Sequence, residues 1–167
     1  NAAAARVAMH AVREELLDRQ AQAAGLPVWK VPLPWPCSNE EYEALMTGVF
    51  DRARAEGIDE IAYGDLFLED IRAYREARHA GTGIGLRFPL WGKPTPELAQ
   101  EMLAGGLRAS VTCVDPRQLP ASFVGRAFDQ RLLDELPRGV DPCGERGEFH
   151  TFAHAGPMFA APVAVVP

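Results

Sequence analysis

One stretch of the sequence decides the fold, and it reads Tyr63-Gly64-Asp65-Leu66-Phe67-Leu68-Glu69-Asp70-Ile71-Arg72-Ala73-Tyr74-Arg75-Glu76. An apolar strand is predicted over residues 61–63, the Gly64-Asp65 pair forms a turn, and a helix follows. In an open parallel sheet, ligands bind beyond the carboxyl ends of the strands, so polar side chains at this junction are expected to face a crevice. The stretch therefore predicts a candidate binding site at the turn.

The predicted helix carries charged side chains at steps of three or four, which places Asp65, Glu69, Arg72 and Glu76 on one face with Arg75 beside it. Two guanidiniums can hold phosphate or carboxylate oxygens in a bidentate fork. Asp65 can hold a ribose hydroxyl, an amine or a magnesium-bound water. The alternative is a solvated helix with intrahelical pairs, Glu69 with Arg72 and Arg72 with Glu76. Spacing alone favours this alternative, because such pairs are common on exposed faces.

The bulk composition describes one domain, or one domain with an appendage, in 167 residues with a net charge of −6. The basic residues are scattered, so nucleic acid is excluded as an expected partner. Three cysteines lie far apart without a C-x-x-C motif and predict reduced thiols: Cys37, Cys113 and Cys143. No apolar run reaches the length of a membrane span and no signal peptide is evident, so we expect no membrane association and a cytoplasmic location. Both ends suggest a piece of a longer protein.

The first half of the chain alternates helices and strands. Apolar spacing predicts a helix over residues 3–24 that is closed by Gly25, and a strand over residues 28–33. A capping box formed by Ser38 and Glu41 begins a second helix that continues to about residue 56. Together with the central stretch, this order predicts right-handed crossovers and an α/β fold with a parallel sheet covered on both faces.

The second half continues with mixed elements. The glycines of residues 81–85 follow a helix and precede a strand over residues 86–88, the reverse of the order in a dinucleotide-binding loop, so they predict a flexible connection. The remaining predicted elements are a helix capped by Thr95 with Pro96 at its first position and ending at Gly105-Gly106, a strand over 109–114, helical pieces over 122–128 and 129–136, a strand over 148–153 and a final strand at 163–166. Asp115 follows a strand and is either a site residue or the cap of a turn.

A second dense polar stretch reads Asp141-Pro142-Cys143-Gly144-Glu145-Arg146-Gly147-Glu148-Phe149-His150-Thr151. Strand alternation puts Glu148 and His150 on one face, so the carboxylate is predicted to orient the imidazole for general acid–base work. A zinc site built from Cys143, His150 and His154 is conceivable, but the spacings match no standard pattern. The stretch therefore predicts a second part of the candidate site.

Several spaced motifs resemble the diphthine–ammonia ligase family of ATP pyrophosphatases. These motifs are Gly64-Asp65, Arg72-x-x-Arg75-Glu76, Pro89-Leu90-Trp91, Glu101-Met102-Leu103-x-x-Gly106 and Cys143-Gly144-Glu145-x-Gly147-Glu148-Phe149-His150-Thr151. The resemblance covers essentially the whole chain. It implies an ATP-pyrophosphatase fold, with residues 1–80 as the remainder of a parallel-sheet ATP-binding domain and residues 81–167 as a smaller α/β substrate-pocket domain.

The resemblance also implies an activity. ATP adenylates a carboxylate with release of pyrophosphate, and ammonia then displaces AMP to leave an amide. The implied cofactors are ATP and Mg²⁺, the implied partners are ammonia and a small-molecule or protein carboxylate, and a homodimer is left open. The implied catalytic residues are Asp65, Glu148 and His150, the substrate-binding residues are Gly64, Arg72, Arg75, Glu76, Glu145 and Thr151, and the nucleotide-binding residues are Met9 and His10. No metal ligand is assigned.

Two departures from the family pattern limit these expectations. The phosphate-binding Ser-Gly-Gly-Lys-Asp-Ser loop of the family is absent from this sequence, and Asn1 corresponds to a point just after the family's second strand. His150 stands where diphthamide-making members carry a second Glu, a form that resembles the bacterial branch, whose substrate differs. The alternative function is a nucleotide-binding or sensing protein without ligase activity, with a link to cobalamin salvage, and a third is a structural fragment.

Overall fold

The structure is a computed structural model, and it describes residues 6–8 and 10–165. Its elements in chain order are α1 (Glu14–Ala24), α2 (Asn39–Ala55), β1 (Glu60–Ala62), α3 (Glu69–His79), β2 (Gly85–Arg87), α4 (Thr95–Ala104), β3 (Arg108–Val114), a 3-10 turn (Ala121–Phe123), α5 (Gln130–Glu135) and β4 (Phe149–Ala155). The chain divides into two compact units. We call Leu33–Lys93 the insert unit, and Asn1–Pro32 together with Pro94–Pro167 the main unit. The predicted boundary near residue 80 stays a prediction.

The insert unit is built around a parallel pair of strands. β1 pairs with β2, with Ile61 opposite Leu86, and α3 forms the connection between them. Parallel strands require such a crossover, since a tight turn can join only antiparallel neighbours. The predicted strand–turn–helix–strand order is thus confirmed in this unit. Its buried residues are Phe50, Ala53, Leu66, His79 and Ile84.

Helix α2 begins at the predicted capping box. The Ser38 hydroxyl accepts a hydrogen bond from the Glu41 backbone N–H at 3.2 Å, and the Glu41 carboxylate accepts from the Ser38 N–H at 2.8 Å. That backbone hydrogen bond, together with the Ser38 hydroxyl, holds the pKa of Glu41 below its usual value. Two backbone donors that the helix itself cannot satisfy are therefore paired.

The main unit is built around an antiparallel pair. β3 pairs with β4, with Val111 opposite Thr151, and the register shifts twice along the ladder. Phe149 packs on one side of β4 in a core with α4, α5 and the 3-10 turn, whose buried members include Ala99, Val111, Phe123 and Leu132. The opposite side carries a smaller cluster of Val12, Phe152 and Val163. Because successive strand residues face opposite ways, Phe149 and Phe152 bury both faces of this strand.

The parallel sheet that was predicted for the first half of the chain has only two strands among the described residues. The described residues form two two-stranded sheets, one parallel and one antiparallel, within a mixed α/β fold. The predicted strand over 28–33 is absent, since Pro32 has no N–H to donate to a ladder and Pro34 follows it. The final predicted strand is also absent over 163–165, and residue 166 lies outside the described residues.

Several helix boundaries differ from the expectation. α1 begins only at Glu14, because Arg13 forms an antiparallel β-bridge with Arg6. Pro94, not Thr95, is the N-cap of α4, and the Thr95 hydroxyl donates elsewhere. The helix expected over 122–128 is a single 3-10 turn, which ends before Gly125 at a φ of 83°.

No helix within the described part of the chain combines the length and the apolar character needed to cross a membrane.

Candidate functional site

In the insert unit, Asp65 and Arg75 form a bidentate pair. Arg75 donates from Nε to one carboxylate oxygen and from Nη2 to the other, the latter at 3.0 Å. Asp65 lies four residues before α3 begins, so the expectation that it shares the helix face is wrong. It reaches Arg75 through the turn that follows β1, where buried Leu66 accepts a hydrogen bond from the Gly92 N–H. The two charges thus neutralise each other in a partly buried position.

Arg72 has a different environment on the same helix. Its Nε donates to Glu76 at 2.8 Å, which confirms the predicted intrahelical pair. Its guanidinium carbon lies 4.8 Å from the centre of the Phe88 ring and 4.7 Å from that of Trp91. Contact with two aromatic faces fixes the plane of the guanidinium. Among the described residues, the one ion pair of Arg72 is made by its Nε, and the side chain is 35% exposed, so its Nη nitrogens can bind an external anion.

The aromatic rings beneath the arginines form a row that sequence reasoning missed. Tyr63 stacks on Phe88 with ring centres 5.9 Å apart, and Phe88 meets Trp91 edge-on at 6.1 Å. Arg75 lies over Tyr63 at 4.1 Å. The signal was available, because Tyr63 follows β1 and Phe88 follows β2, and parallel pairing of these strands brings the two rings side by side. Gly64, which directly follows Tyr63 in the chain, is exposed.

His79 is a second residue that sequence reasoning missed. It lies in the last turn of α3 and is buried, and its Nε2 is 2.8 Å from the Tyr63 hydroxyl. Burial and then the charge of Arg75 lower the pKa of His79. Steps of three and four from Arg72 to Arg75 to His79 put all three on one helix face, which is the pattern that could have revealed it.

In the main unit, Glu148 anchors the polar loop that precedes β4. Its carboxylate is fully buried, and its two oxygens accept the backbone N–H groups of Asp141 and Arg146, each at 2.9 Å. A carboxylate that binds two amides holds the ends of the loop together. No hydrogen bond within the described residues joins Glu148 to His150, so the predicted orienting contact between them is not formed.

The same loop is held at its other side by Asp141. One carboxylate oxygen accepts from the Thr95 hydroxyl at 3.1 Å, and the other accepts from the Cys143 N–H at 2.6 Å. Burial, followed by the nearby charges of Asp141 and Glu145, raises the pKa of Cys143 to about 12. Among the residues described, no group of three His, Cys, Asp or Glu side chains is arranged to hold a metal ion.

A cavity of about 370 Å³ lies beside β4 in the main unit. Its lining residues are Val7, His10, Val12, Leu17, Gln20, Thr151, Phe152 and Ala153. The rings of His10 and His150 lie 4.6 Å apart, so the structure brings together three predicted site residues, His10, His150 and Thr151. Burial, then the neighbouring His10, lowers the pKa of His150, so its imidazole is neutral at pH 7. Met9 lies outside the described residues.

Two further predicted positions, Asp115 and Glu145, lie in loops of the main unit. Asp115 accepts hydrogen bonds from the Arg117 side chain and backbone within its own turn, and these bonds hold its pKa far below the usual range. The turn-cap interpretation of Asp115 is therefore the one that the structure supports. Glu145 lies in the loop held by Glu148 and is partly exposed.

Comparison with known proteins gives two kinds of match. A family model described as the diphthamide synthase C-terminal domain matches residues 95–166. The chain is 26% identical over 169 residues to a diphthine–ammonia ligase of Bos taurus, and 25% identical over 169 residues to one of Homo sapiens. Each alignment covers 92% of this chain and 63% of the relative. The chain thus spans less than two thirds of the length of these curated relatives.

Proposed function

Since the chain belongs to the diphthine–ammonia ligase family, we propose that it acts as an ATP-dependent ligase, which makes an amide from a carboxylate and ammonia. The supporting observation in the insert unit is Arg72, whose guanidinium rests on Phe88 and Trp91. A cation held flat, with its Nη edge open, is prepared to bind a carboxylate by two parallel hydrogen bonds. Arg72 is the residue to which we assign carboxylate binding.

The proposed reaction has two steps. A carboxylate oxygen of the substrate attacks the α-phosphorus of ATP, and the bond to the pyrophosphate oxygen breaks. Ammonia then adds to the activated carbonyl carbon, loses a proton, and the bond to AMP breaks. The proton that ammonia loses passes to a general base, such as a neutral imidazole or water.

The main-unit cavity fits an adenine ring. Its volume of about 370 Å³ lies in the range of small-molecule sites, roughly 300–1,000 Å³. Its walls are mainly apolar, and Thr151 and His10 add hydrogen-bonding groups. The described residues do not fit a magnesium site, because Asp65 and Asp115 already bind arginines and no cluster of three ligands is present among them. No step of the proposal therefore uses magnesium bound by these residues.

The test is to incubate the protein with ATP, magnesium, ammonium and a panel of carboxylates, and to identify the nucleotide products by phosphorus NMR. We expect AMP and pyrophosphate in the presence of the right acceptor. Arg72→Met should lower kcat/KM for the carboxylate by roughly 10- to 100-fold, the effect of one charged hydrogen-bonding group. Arg87→Met is the matched control, since Arg87 pairs with Glu60 on the exposed surface of the same unit. ADP as the product, or equal loss in both variants, would exclude the proposal.

A second candidate function is nucleotide binding or sensing without ligation. Two of the three predicted catalytic residues support it, because Asp65 is neutralised by Arg75 and Glu148 is bound by loop amides. Calorimetry would then show binding of ATP or AMP, while no carboxylate in the panel would release pyrophosphate.

A further inference from the structure

His79 in the insert unit has one nitrogen that no protein group satisfies. The side chain is 5% exposed, its Nε2 is 2.8 Å from the Tyr63 hydroxyl, and its Nδ1 is buried without a hydrogen-bond partner among the described residues. Buried polar atoms in folded proteins are nearly always paired with protein or with ordered water. Nδ1 therefore indicates a bound polar ligand.

The space next to His79 limits the size of that ligand. A cavity of about 20 Å³ is lined by Tyr42, Met46, Phe50, Tyr63, Tyr74, Arg75, Arg78 and His79. One water molecule needs roughly 10–15 Å³ on this measure, and a larger ligand does not fit. The phenol and guanidinium groups in the lining supply the further polar partners that a buried water requires.

The protonation of the Tyr63–His79 pair follows from its surroundings. Burial raises the pKa of Tyr63, and burial with the Arg75 charge lowers the pKa of His79, so both groups are neutral at pH 7. A phenol is a stronger donor than a neutral imidazole, so Tyr63 donates to Nε2 and the proton of the ring lies on Nδ1. This N–H then donates to the water.

A chain of contacts leads from His79 to the charged pair of the candidate site. The hydrogen bond from its hydroxyl to His79 fixes Tyr63. Arg75 lies over the Tyr63 ring at 4.1 Å and donates two hydrogen bonds to Asp65. We propose that His79 is a positioning residue that binds one water molecule through Nδ1 and, through Tyr63, fixes the Arg75–Asp65 pair. Its effect on catalysis rests on the proposed function, whereas its effect on geometry does not.

The geometric part is tested by NMR on the ¹⁵N-labelled protein. We expect a slowly exchanging His79 Nδ1–H with a cross-relaxation signal to water, and a downfield, protected Arg75 Nε–H. His79→Phe keeps the ring contact with Phe50 but removes both nitrogens, and Tyr63→Phe keeps the ring under Arg75 but removes the hydroxyl. Each should shift the Arg75 Nε–H signal and speed its exchange at least fivefold. His154→Phe, which removes a histidine of the main unit, is the control and should leave that signal unchanged.

The outcomes separate the two proposals. An unchanged Arg75 signal in both folded variants, or a protonated Nε2 with a dry cavity, would overturn the role of His79. In the enzyme assay, His79→Phe should lower kcat/KM about tenfold, as expected for a displaced binding group, and His79→Gln should recover part of the loss because its amide can again pair with the Tyr63 hydroxyl. If the wild-type protein forms no AMP at all, the ligase proposal fails while the NMR result still decides the inference.

Discussion

At the scale of single residues, the role of a charged side chain in this protein depends more on its nearest partners than on its residue type. Arg72 and Arg75 occupy one helix and were predicted to do the same work, yet Arg75 is held by Asp65 while the Nη edge of Arg72 is open within the described residues. Glu148 was predicted as a catalytic carboxylate, and this stays a prediction. Its contacts are those of a residue that holds a loop.

The role of Glu148 gives the prediction at this scale. Glu148→Ala should lower the free energy of unfolding by roughly 3 kcal/mol, because it leaves the buried Asp141 N–H and the part-buried Arg146 N–H without their acceptor. Urea unfolding followed by circular dichroism measures this change. Glu97→Ala is the control, since Glu97 is exposed in the first turn of α4, and we expect it to change stability by less than about 0.5 kcal/mol. Equal effects of the two substitutions would contradict the anchoring role.

At the scale of secondary structure elements, the sequence predicted best the features that depend on neighbouring residues. The capping box of α2 and the left-handed Gly25 after α1 are local, and both were predicted correctly. The strand expected over 28–33 failed because apolar content outweighed the prolines in the prediction. The Thr95 hydroxyl was expected to cap its own helix, but it bonds to Asp141, which is 46 residues away in the chain. A local sequence pattern cannot identify a hydrogen-bond partner that is so distant in the chain.

The loop before β4 provides a prediction at this scale. Gly144 has a φ of 69°, and a Cβ there would lie 2.6 Å from the Phe149 carbonyl oxygen. Gly144→Ala should therefore cost both the backbone strain, about 1 kcal/mol, and roughly 1–3 kcal/mol more for the clash. Gly139→Ala is the matched control, because Gly139 has a φ of 91° with open space around it. Thermal unfolding of both variants separates the backbone strain from the clash. Equal melting temperatures would show that the loop accommodates the added Cβ without a loss of stability.

At the scale of the whole molecule, the α/β class and the family were predictable, while the arrangement of the strands was not. The motifs quoted for the resemblance lie on both units, and the family model covers residues 95–166. The antiparallel pairing of β3 with β4 depends on contacts between residues about 40 positions apart, such as Val111 with Thr151. Sequence periodicity reports which face of a strand is buried, but it does not report which strand is its neighbour. Phe88 was missed for the same reason, because the pairing of β1 with β2 is what brings its ring beside Tyr63.

Two histidines, one in each unit, make the stability of the whole chain depend on pH. The pKa values of His79 and His150 are both lowered, first by burial and then by Arg75 and His10 respectively. The unfolded chain then binds more protons than the folded one, so this contribution is fully present above the unfolded value of about 6.5 and is lost as the pH falls through the lower folded values. The free energy of unfolding should decrease between pH 7.5 and pH 5.5 in urea titrations. His79→Phe and His150→Phe should each flatten this decrease, and the double variant should flatten it most. The reverse slope, or a slope that neither substitution changes, would show that these imidazoles are not the groups that charge on unfolding.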